Sequence, residues 1–490
     1  MASFTLLFLS STLLQLHYIL THRSLTMFQR QIILLGSLIL SVASTLHASL
    51  FGPWVTVLWT VCTLALLVNA VRFLNPRYKN TSVVRRYMSV FMPTVAMQFL
   101  VVFLLYFSTL YAVPINFIDT LRLFGLLLSF VMAGMMVRSA VIYRARRGRA
   151  KGQLPTVSLL IPARNEDPVL EQMLRNVLQS DYPKLEIIVL DDCSHDRTPA
   201  IIRDFAHDGV RFYGGNVRPD GWLGKNWALH QLIEQASGDV LMFCDVDVRL
   251  SPHSISTMVN QMSVTKSSMV SVMPQRLAFD FWANLLQPLT DFWQLVLPSK
   301  LTKTAPVIGS CWAIKASLTK KLTMSELKQQ ITPEHWYARI AKAGKGYHFV
   351  LGNADIGVSR RKRLNSQEDT MNRKYYPWLQ RSPFLVFVVA PVVTIALLLP
   401  WVDLVFSHAY LVSLFAVLLQ LFAVLLFITK HNPASWFLVL FQLPLLYLHE
   451  LYRAVYSCWA YEFGEIDWKQ RNVCEPMLEV IEHLPPLASK

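Results

Sequence analysis

Charged residues are scarce in this sequence of 490 residues. Asp, Glu, Lys and Arg make up 16% of it, whereas hydrophobic residues make up 53%. Soluble globular domains carry more charge, so the composition excludes an ordinary soluble protein. Seven stretches nearly free of charge are long enough, or almost so, to cross about 30 Å of hydrocarbon. They are residues 32–47, 54–71, 95–113, 120–142, 384–402, 409–429 and 435–448. The sequence therefore predicts a polytopic membrane protein.

Cysteine is also rare, and its spacing is uninformative for metal binding. The six cysteines form no CxxC pair and no spacing typical of metal ligands. They are Cys62, Cys193, Cys244, Cys311, Cys458 and Cys474. We expect free thiols in a reducing compartment.

Acidic residues are fewer than basic ones, 31 against 46, which gives a net charge of +15. The basic clusters flank apolar stretches rather than forming one basic face, so the charge indicates membrane topology and not nucleic-acid binding. These clusters are Arg72 to Arg86, Arg144 to Lys151, and Arg360 to Arg363. The loops 48–53, 114–119 and 403–408 hold no Lys or Arg.

The charge pattern predicts a cytoplasmic location for residues 73–91 and for about 144–382. Residues 3–20 have no positive flank and no cleavage site of the usual form, so we expect a first span with its N-terminus outside. The predicted membrane is the inner cell membrane, crossed several times.

Four parts are predicted along the chain. They are an N-terminal transmembrane bundle of four to five helices (1–150), a cytoplasmic domain (151–382), two to three transmembrane helices (383–456) and an amphipathic tail (457–490). In the cytoplasmic part, short apolar runs alternate with helical patterns, which indicates an α/β domain with buried parallel strands and crossover helices. The runs are 157–163, 186–192, 210–215, 239–248 and 268–274.

Acidic residues follow two of the predicted strands. Ligands of such sheets bind outside the carboxyl ends of the strands. Asp191 and Asp192 are suited to a nucleotide base or ribose, although an Asp capping the helix near Arg197 is equally compatible. Asp245 and Asp247 offer the carboxylate oxygens that Mg²⁺ prefers, with a solvated acidic loop as the alternative.

A turn with two glycines, Gly221 to Leu229, leads into a helix that is predicted to end near Gln235. Backbone amides at a helix start favour anions, and Lys225 is placed to meet a diphosphate. The turn is not a Walker loop, because GxxxxGK followed by Ser or Thr is absent. An ordinary helix start is the alternative.

The runs VSLLIPARNED, EIIVLDDCSHDRT, GWLGKNWAL and GDVLMFCDVDV occur in this order. Together they resemble the GT-A domain of glycosyltransferase family 2, over about 157–350. The GWxGK turn and the SRR segment near Arg360 are most similar to the membrane-bound subgroup with hopanoid-associated and carotenoid-ester glycosyltransferases. The resemblance implies an α/β GT-A fold, a Rossmann-like nucleotide-diphospho-sugar transferase domain, inserted between N- and C-terminal transmembrane helix bundles.

The resemblance also implies a nucleotide-diphosphate sugar donor, most often uridine-linked, with Mg²⁺ or Mn²⁺ and inversion at the anomeric carbon. By the same resemblance, Asp192 contacts the base, Lys225 lies near the diphosphate, and Asp245 and Asp247 hold the metal and the nucleotide. The remaining implied donor-binding residues are Pro162, Ala163, Arg164, Glu166 and Asp191.

One departure from the family concerns the catalytic base. The family carries a Glu-Asp pair whose Asp deprotonates the acceptor hydroxyl, whereas this chain has Glu334 and His335 between Pro333 and Trp336. A carboxylate or an imidazole within reach can act as a base. Glu334 is therefore the candidate base, with His335 second. The alternative for Glu334 is ordinary acidic placement at a helix N-terminus.

Two further segments bear on function and topology. The QxxRW signature of processive synthases is absent where Lys374 to Arg381 stands, which favours transfer of one sugar. Trp468 to Arg471 resembles the WKGR tail of the subgroup, with Gln470 in place of Gly, and such a tail should be cytoplasmic. Three full crossings after residue 382 would instead leave the tail outside.

The sequence thus predicts an inverting, metal-dependent glycosyltransferase with a lipid or membrane-resident acceptor. The alternatives are a catalytically degenerate GT-A module that binds nucleotide sugar or scaffolds a membrane complex, and a transporter, which the few charges within the spans disfavour. No nucleic-acid partner is expected, and no protein partner is indicated. An acceptor gate or an interfacial collar is predicted from the aromatic residues Phe281, Trp282, Phe292, Trp293, Trp312 and Trp336.

Overall fold

The computed structural model describes most of the chain from residue 117 onwards. The described ranges are 117–146, 153–277, 281–297, 306–344, 346–362, 364–406, 410–464, 466–469 and 471–474. The apolar segments predicted at 3–20, 32–47, 54–71 and 95–113 lie outside the described residues, as do Cys62 and the basic cluster from Arg72 to Arg86.

The centre of the described chain is a seven-stranded sheet. Its strands have the order β3-β2-β1-β4-β8-β6-β9. They are β1 Val157–Ala163, β2 Leu185–Asp191, β3 Val210–Gly214, β4 Val240–Cys244, β6 Met269–Met273, β8 Cys311–Lys315 and β9 Tyr347–Leu351. A second, three-stranded sheet consists of β5 Val248–Leu250, β7 Gln275–Arg276 and β10 Val358–Arg360.

Helices cover both faces of the large sheet and continue into a C-terminal helical region. They are α1 Phe117–Ile142, α2 Asp167–Leu178, α3 Thr198–Asp204, α4 Gly224–Gln235, α5 Ser254–Val264, α6 Phe281–Leu286, α7 Phe292–Val296, α8 Ala316–Thr319, α9 Pro333–Ala343, α10 Leu364–Trp378, α11 Ala390–Phe406, α12 Tyr410–His431 and α13 Trp436–Glu462. A π-helical turn, Leu385–Val389, precedes α11.

The five apolar runs of the sequence each contain a strand, because a continuous apolar run fits a strand that is buried on both faces. Strands β1 to β4 are parallel, as expected, whereas β8 runs antiparallel to both of its neighbours. The predicted α/β domain beside apolar helices is therefore confirmed. The prediction did not include β8 and β9, the two remaining strands of the large sheet.

Four of the described helices are long and apolar enough to cross a membrane, judged by length and composition. Three of them, α1, α11 and α12, pack on one another as a bundle. At one end of the bundle Arg122 forms a two-point ion pair with Asp403, with N–O distances of 2.7 and 2.8 Å. At the other end Ser139 donates a hydrogen bond to the Leu295 carbonyl, which attaches α1 to the central domain. The bundle therefore projects from the domain.

The fourth helix, α13, packs on α11 and α12 and is also hydrogen-bonded to the central domain near both of its ends. Just before its start, Ser435 donates to the Asn284 carbonyl. Near its end, Ser457 bonds both the Asn372 carbonyl and the Tyr376 amide. Leu443 and Tyr447, between these points, pack into the cluster that contains Phe292. The outward side of α13 presents Trp436, Phe437, Phe441, Leu445, Leu448 and Tyr452, all exposed.

After α13 the chain turns back onto the central domain. The short strands β11 Asp467–Trp468 and β12 Arg471–Asn472 form an antiparallel pair. Arg471 forms an ion pair with Asp192 at the carboxyl end of β2. The tail thus lies against the same domain from which α11 departs. The number of crossings after residue 382 stays a prediction, since α13 is itself long and apolar enough to cross a membrane.

The aromatic residues predicted as a gate or collar do not act as one group. Trp312 is 1% exposed and stacks on Phe243 with ring centroids 4.1 Å apart, so it belongs to the domain core. Phe292 is also buried. Phe281 and Trp282 are exposed at the foot of the helical bundle. The five described cysteines are free thiols, as predicted.

Helix packing in the bundle predicts a sharp difference between two glycines of α1. A Cβ atom on Gly125 would overlap the carbonyl oxygen of Ala396, whereas a Cβ atom on Gly134 would meet nothing within 4 Å. We expect Gly125→Ala to destabilise the full-length protein by roughly 1–3 kcal/mol through overpacking. Gly134→Ala should leave the thermal midpoint in detergent unchanged or slightly raised. Equal melting temperatures for the two variants would contradict this packing.

Candidate active site

The candidate site lies at the carboxyl edge of the parallel strands. Ala163 at the end of β1 stands opposite Asp191 at the end of β2. Strand β4, on the other side of β1, leads directly into Asp245. Because these three strands are neighbours, the loops that follow them meet at one edge.

The loops enclose a cleft, here named the donor cleft. All but Asp191 of the donor-binding and metal-binding residues predicted from the sequence line it. The cleft is lined by Pro162, Ala163, Arg164, Glu166, Asp192, Lys225, Ala228, Asp245, Val246, Asp247, Lys362, Ser366, Arg373 and Lys469. Asp191 is not among the lining residues, and its carboxylate instead accepts the backbone N–H of Ser194 at 3.3 Å. The geometry therefore gives Asp191 a role in the turn after β2.

Arg164 is buried and faces the loop after β2 rather than open solvent. Its guanidinium donates to the backbone carbonyls of Asp192 and Cys193. Burial is the main cause that lowers the pKa of Arg164, followed by the nearby Arg471. Arg164 thus joins the loops after β1 and β2 and fixes the shape of the cleft wall.

Asp192 and Glu166 each meet a basic residue of the C-terminal tail. Asp192 Oδ2 lies 2.6 Å from Arg471 Nη1, and Glu166 Oε1 lies 3.1 Å from Lys469 Nζ. Burial raises the pKa of Asp192, an effect that Arg471 opposes. Burial likewise raises the pKa of Glu166 against the opposing effect of Lys469. Among the described residues, Asp192 Oδ1 has no hydrogen-bond partner.

Asp245 and Asp247 are held by cations from separate parts of the chain. Lys225 Nζ lies 2.6 Å from Asp245 Oδ1. Asp247 Oδ2 lies 3.2 Å from Arg360 Nε and 3.5 Å from Lys362 Nζ. Burial would raise the pKa of Asp247, but the two cations lower it below its usual value. Burial lowers the pKa of Lys362 to about 8.

The two carboxylates fit a divalent cation that takes its other ligands from a diphosphate and water. Asp247 Oδ1 is buried and has no partner among the described residues, so one acceptor is available for such an ion. The described part of the chain contains no cluster of three or more His, Cys, Asp or Glu side chains suited to a metal. The protein would therefore supply only part of the coordination shell.

A second pocket, here named the Glu334 pocket, adjoins the donor cleft and shares Lys225, Asp245, Lys362 and Arg373 with it. Its other lining residues are Arg218, Leu223, Gly224, Asn226, Ser310, Ile331, Glu334, Arg360, Thr370, Lys374, Arg471, Asn472 and Val473. Nine basic side chains and five carboxylates line the two pockets together. This excess of positive charge is suited to an anionic ligand.

The structure separates the two candidate bases. Glu334 lies in the first turn of α9, is 5% exposed, and lines the pocket. Its carboxylate rests against Gly309, where a Cβ atom would overlap it. His335 lines neither of the two pockets, and its buried Nδ1 has no partner among the described residues. Burial lowers the pKa of His335.

Seven basic residues of the pockets were not among the predicted site residues, namely Arg218, Arg360, Lys362, Arg373, Lys374, Lys469 and Arg471. Arg373 and Lys374 lie on α10, a polar helix whose sequence gave no signal for a ligand. Lys469 and Arg471 belong to the tail, and their similarity to a WKGR motif was the one available signal. Sequence spacing alone could not predict that the tail lies beside the end of β2, since Arg471 and Asp192 are 279 residues apart.

Residues 158–323 match the family model "Glycosyl transferase family 2". Among curated proteins, a 4,4'-diaponeurosporenoate glycosyltransferase of Staphylococcus haemolyticus is 26% identical over 162 residues, which is 32% of this chain and 42% of that protein. A beta-monoglucosyldiacylglycerol synthase of Trichormus variabilis is 31% identical over 105 residues, 21% of this chain and 22% of that protein. The chain thus spans less than half the length of either relative.

Among solved structures, a similar one is the mannosyltransferase PcManGT from Pyrobaculum calidifontis in complex with GDP-Man and Mn²⁺. It is 17% identical with a TM-score of 0.43, and the match covers 69% of this chain and 99% of that one. The family match confirms the resemblance stated from the sequence motifs. The similarity to glycosyltransferase family 2 thus lies in residues 158–323, within the central domain.

The ion pairs predict different stability effects for the two aspartates of the Asp-Val-Asp motif. Asp247→Asn would leave Arg360 and Lys362 without their counter-charge in a region where all three side chains are less than 20% exposed. We expect a loss of about 3 kcal/mol, as for other broken buried pairs. Asp245 is 34% exposed, so Asp245→Asn should cost much less. Thermal unfolding of both full-length variants tests this, and equal losses would contradict it.

Proposed function

We propose that this protein is an inverting glycosyltransferase that moves a single hexose from a nucleotide-diphosphate sugar, a UDP-hexose, to a lipid or membrane-resident acceptor. The proposal rests on the lining of the two adjoining pockets. The Glu334 carboxylate lines one of them, and basic side chains outnumber carboxylates around the two together. A nucleoside diphosphate supplies the missing negative charge. A purely scaffolding module would have no need to keep so many cations close together.

In the proposed reaction, the acceptor hydroxyl gives its proton to the Glu334 carboxylate while its oxygen bonds to the anomeric carbon of the sugar. The bond between that carbon and the diphosphate oxygen breaks, and the electron pair leaves with the nucleoside diphosphate. Lys225 and Arg373, which line both pockets, are placed to stabilise the charge that develops on the leaving group. Attack from the side opposite the leaving group inverts the anomeric carbon.

A divalent ion, Mg²⁺ or Mn²⁺, would be held by Asp247 and Asp245 and would add positive charge beside the diphosphate. Asp192 would face the base or ribose, with Pro162, Ala163, Arg164 and Glu166 as the wall around the nucleotide. Transfer of a single sugar is proposed because the QxxRW signature is absent.

The acceptor proposal is supported by the position of the site beside apolar helices. Helix α10, which carries Arg373 and Lys374, packs along α13. The outward side of α13 is exposed and rich in aromatic residues. The names of two relatives, a diaponeurosporenoate glycosyltransferase and a monoglucosyldiacylglycerol synthase, also refer to lipid-like molecules.

We further propose a topology in which α1, α11 and α12 cross the inner membrane and α13 lies along its cytoplasmic surface. Aromatic residues on one side of a helix are typical of helices that lie in the membrane interface. The central domain and the tail would then both be cytoplasmic, and α11 and α12 would form a hairpin.

The base assignment predicts that Glu334→Gln lowers the rate of sugar transfer about 100-fold or more, because general-base catalysis contributes that much. The assay measures release of UDP and labelling of lipid, using purified full-length protein, a panel of UDP-hexoses, Mn²⁺ and a membrane lipid extract. Glu326→Gln is the matched control, since Glu326 lies in a nearby exposed turn where Gln also satisfies the capping box.

Two further variants sharpen this experiment. Gly309→Ala should lower transfer as well, because it displaces the Glu334 carboxylate without changing its chemistry. His335→Asn should retain most of the activity. Loss of transfer in His335→Asn but not in Glu334→Gln would assign the base to His335. A wild-type protein that binds UDP but transfers no hexose with any metal would be a catalytically degenerate module.

The proposed topology predicts which single-cysteine reporters share a side of the membrane. We expect Ser263→Cys on the central domain and Asp467→Cys on the tail, both exposed, to react with an impermeant thiol reagent only in inside-out vesicles. Phe406→Cys, at the far end of α11, should react only in right-side-out vesicles. Reaction of Asp467→Cys from the same side as Phe406→Cys would overturn the topology.

A further inference from the structure

The described part of the tail after α13 forms a small unit, here named the strap and made of residues 466–469 and 471–474. Its two short strands pair with each other, and the Val473 amide donates to the Ile466 carbonyl at 2.8 Å. The strap lies far beyond residues 158–323, the part of the chain that matches the family domain. The contacts of the strap with the site therefore come from the C-terminal region of this chain and not from the family domain.

Apolar contacts seat the strap on the central domain. Ile466, Val473 and Cys474 are buried in one cluster with Leu223, which belongs to the glycine-containing turn, and with Tyr376 of α10. These contacts hold the strap from two sides. Its polar residues are thereby directed toward the donor cleft and the Glu334 pocket.

Polar contacts then join the strap to the loops after β1 and β2. Lys469 Nζ donates to the Asn165 carbonyl at 3.0 Å and pairs with Glu166. The Lys469 carbonyl accepts a hydrogen bond from Arg164 Nε at 3.1 Å. The strap therefore closes one side of the donor cleft. The family domain does not make these contacts by itself.

The central contact of the strap is the pair between Arg471 and Asp192. Asp192 has a side chain that is only 3% exposed, and Arg471 Nη1 contacts its Oδ2 at 2.6 Å. A Cβ atom on Gly224 would stand 2.6 Å from the same Nη1, so the glycine provides the space for the guanidinium. Because Arg471 uses one carboxylate oxygen, the other is left for a different donor. Among the described residues, this Oδ1 has no partner.

We propose that the strap is part of the donor-binding site and that Arg471 is a positioning residue, which orients Asp192 to accept a hydrogen bond from the nucleoside of a nucleoside diphosphate. A buried carboxylate without a partner is costly, so Arg471 keeps Asp192 charged and fixed in direction. The ligand then meets a pre-oriented acceptor. This inference rests on the proposed function, since it requires that the cleft bind a nucleotide.

The test measures binding of UDP, with Mn²⁺, to the full-length protein in detergent by calorimetry. Arg471→Ala should weaken UDP binding about tenfold or more, as expected for a lost hydrogen bond to a charged group. Arg471→Lys should recover part of the affinity, because it keeps the charge. The control is Arg175→Ala, which removes a similar Arg–Glu pair on the exposed surface of α2 and should change nothing.

A double-mutant cycle with Asp192→Asn distinguishes positioning from a general structural role. In the Asp192→Asn background, Arg471→Ala should weaken UDP binding by less than about threefold, because the residue that Arg471 orients is already altered. Thermal unfolding of each variant is recorded in parallel. If Arg471→Ala melts below the assay temperature, Arg471→Gln takes its place in the cycle.

Unchanged UDP affinity in Arg471→Ala, or an equal loss with and without Asp192→Asn, would overturn the role of Arg471. A different result would reject the proposed function itself, namely a wild-type protein that binds neither UDP nor GDP. The two failures are therefore distinguishable.

Discussion

Charge balance in the donor cleft is the constraint on which the rest of the structure depends. Four carboxylates of the cleft each meet a cation, in the pairs Asp245–Lys225, Asp247–Arg360, Glu166–Lys469 and Asp192–Arg471, and in all but the first the cation comes from a distant part of the chain. The least exposed of these carboxylates, Asp192 and Asp247, are costly unless they are paired. The loops after the strands therefore reach this arrangement only when α4, β10 and the strap are also in place, which makes the site a product of the whole described chain.

This dependence gives the C-terminal helices a role beyond attachment to a membrane. Because Ser435, just before α13, and Ser457, near its end, are hydrogen-bonded to the Asn284 and Asn372 carbonyls, the chain returns to the cleft after α13. In the proposed topology α13 does not cross the membrane, which leaves the strap on the same side as Asp192. The same helix keeps its aromatic side outward, so one element both directs the strap and offers an apolar surface next to the Glu334 pocket.

The parts of the fold that the sequence predicted are those with a local physical signal. Continuous apolar runs gave the strands, and acidic residues at strand ends gave Asp192, Asp245 and Asp247. The role of Asp191 in donor binding stays a prediction, and its carboxylate accepts the Ser194 amide in the turn after β2. Hydropathy gave no signal that α13 also contacts the central domain, because it counts apolar residues without showing which of them the domain covers.

The excess of positive charge explains how the departure from the family's acidic pair can be compatible with catalysis. In an inverting transfer, stabilisation of the leaving diphosphate and deprotonation of the acceptor are separate demands. In the proposed reaction, the nine basic side chains that line the two pockets would serve the first demand, and the Glu334 carboxylate would serve the second. His335 lines neither pocket, so the residue at this position does not enter the charge of the pocket linings. The departure from the family therefore changes neither the cations around the pockets nor the proposed base, Glu334.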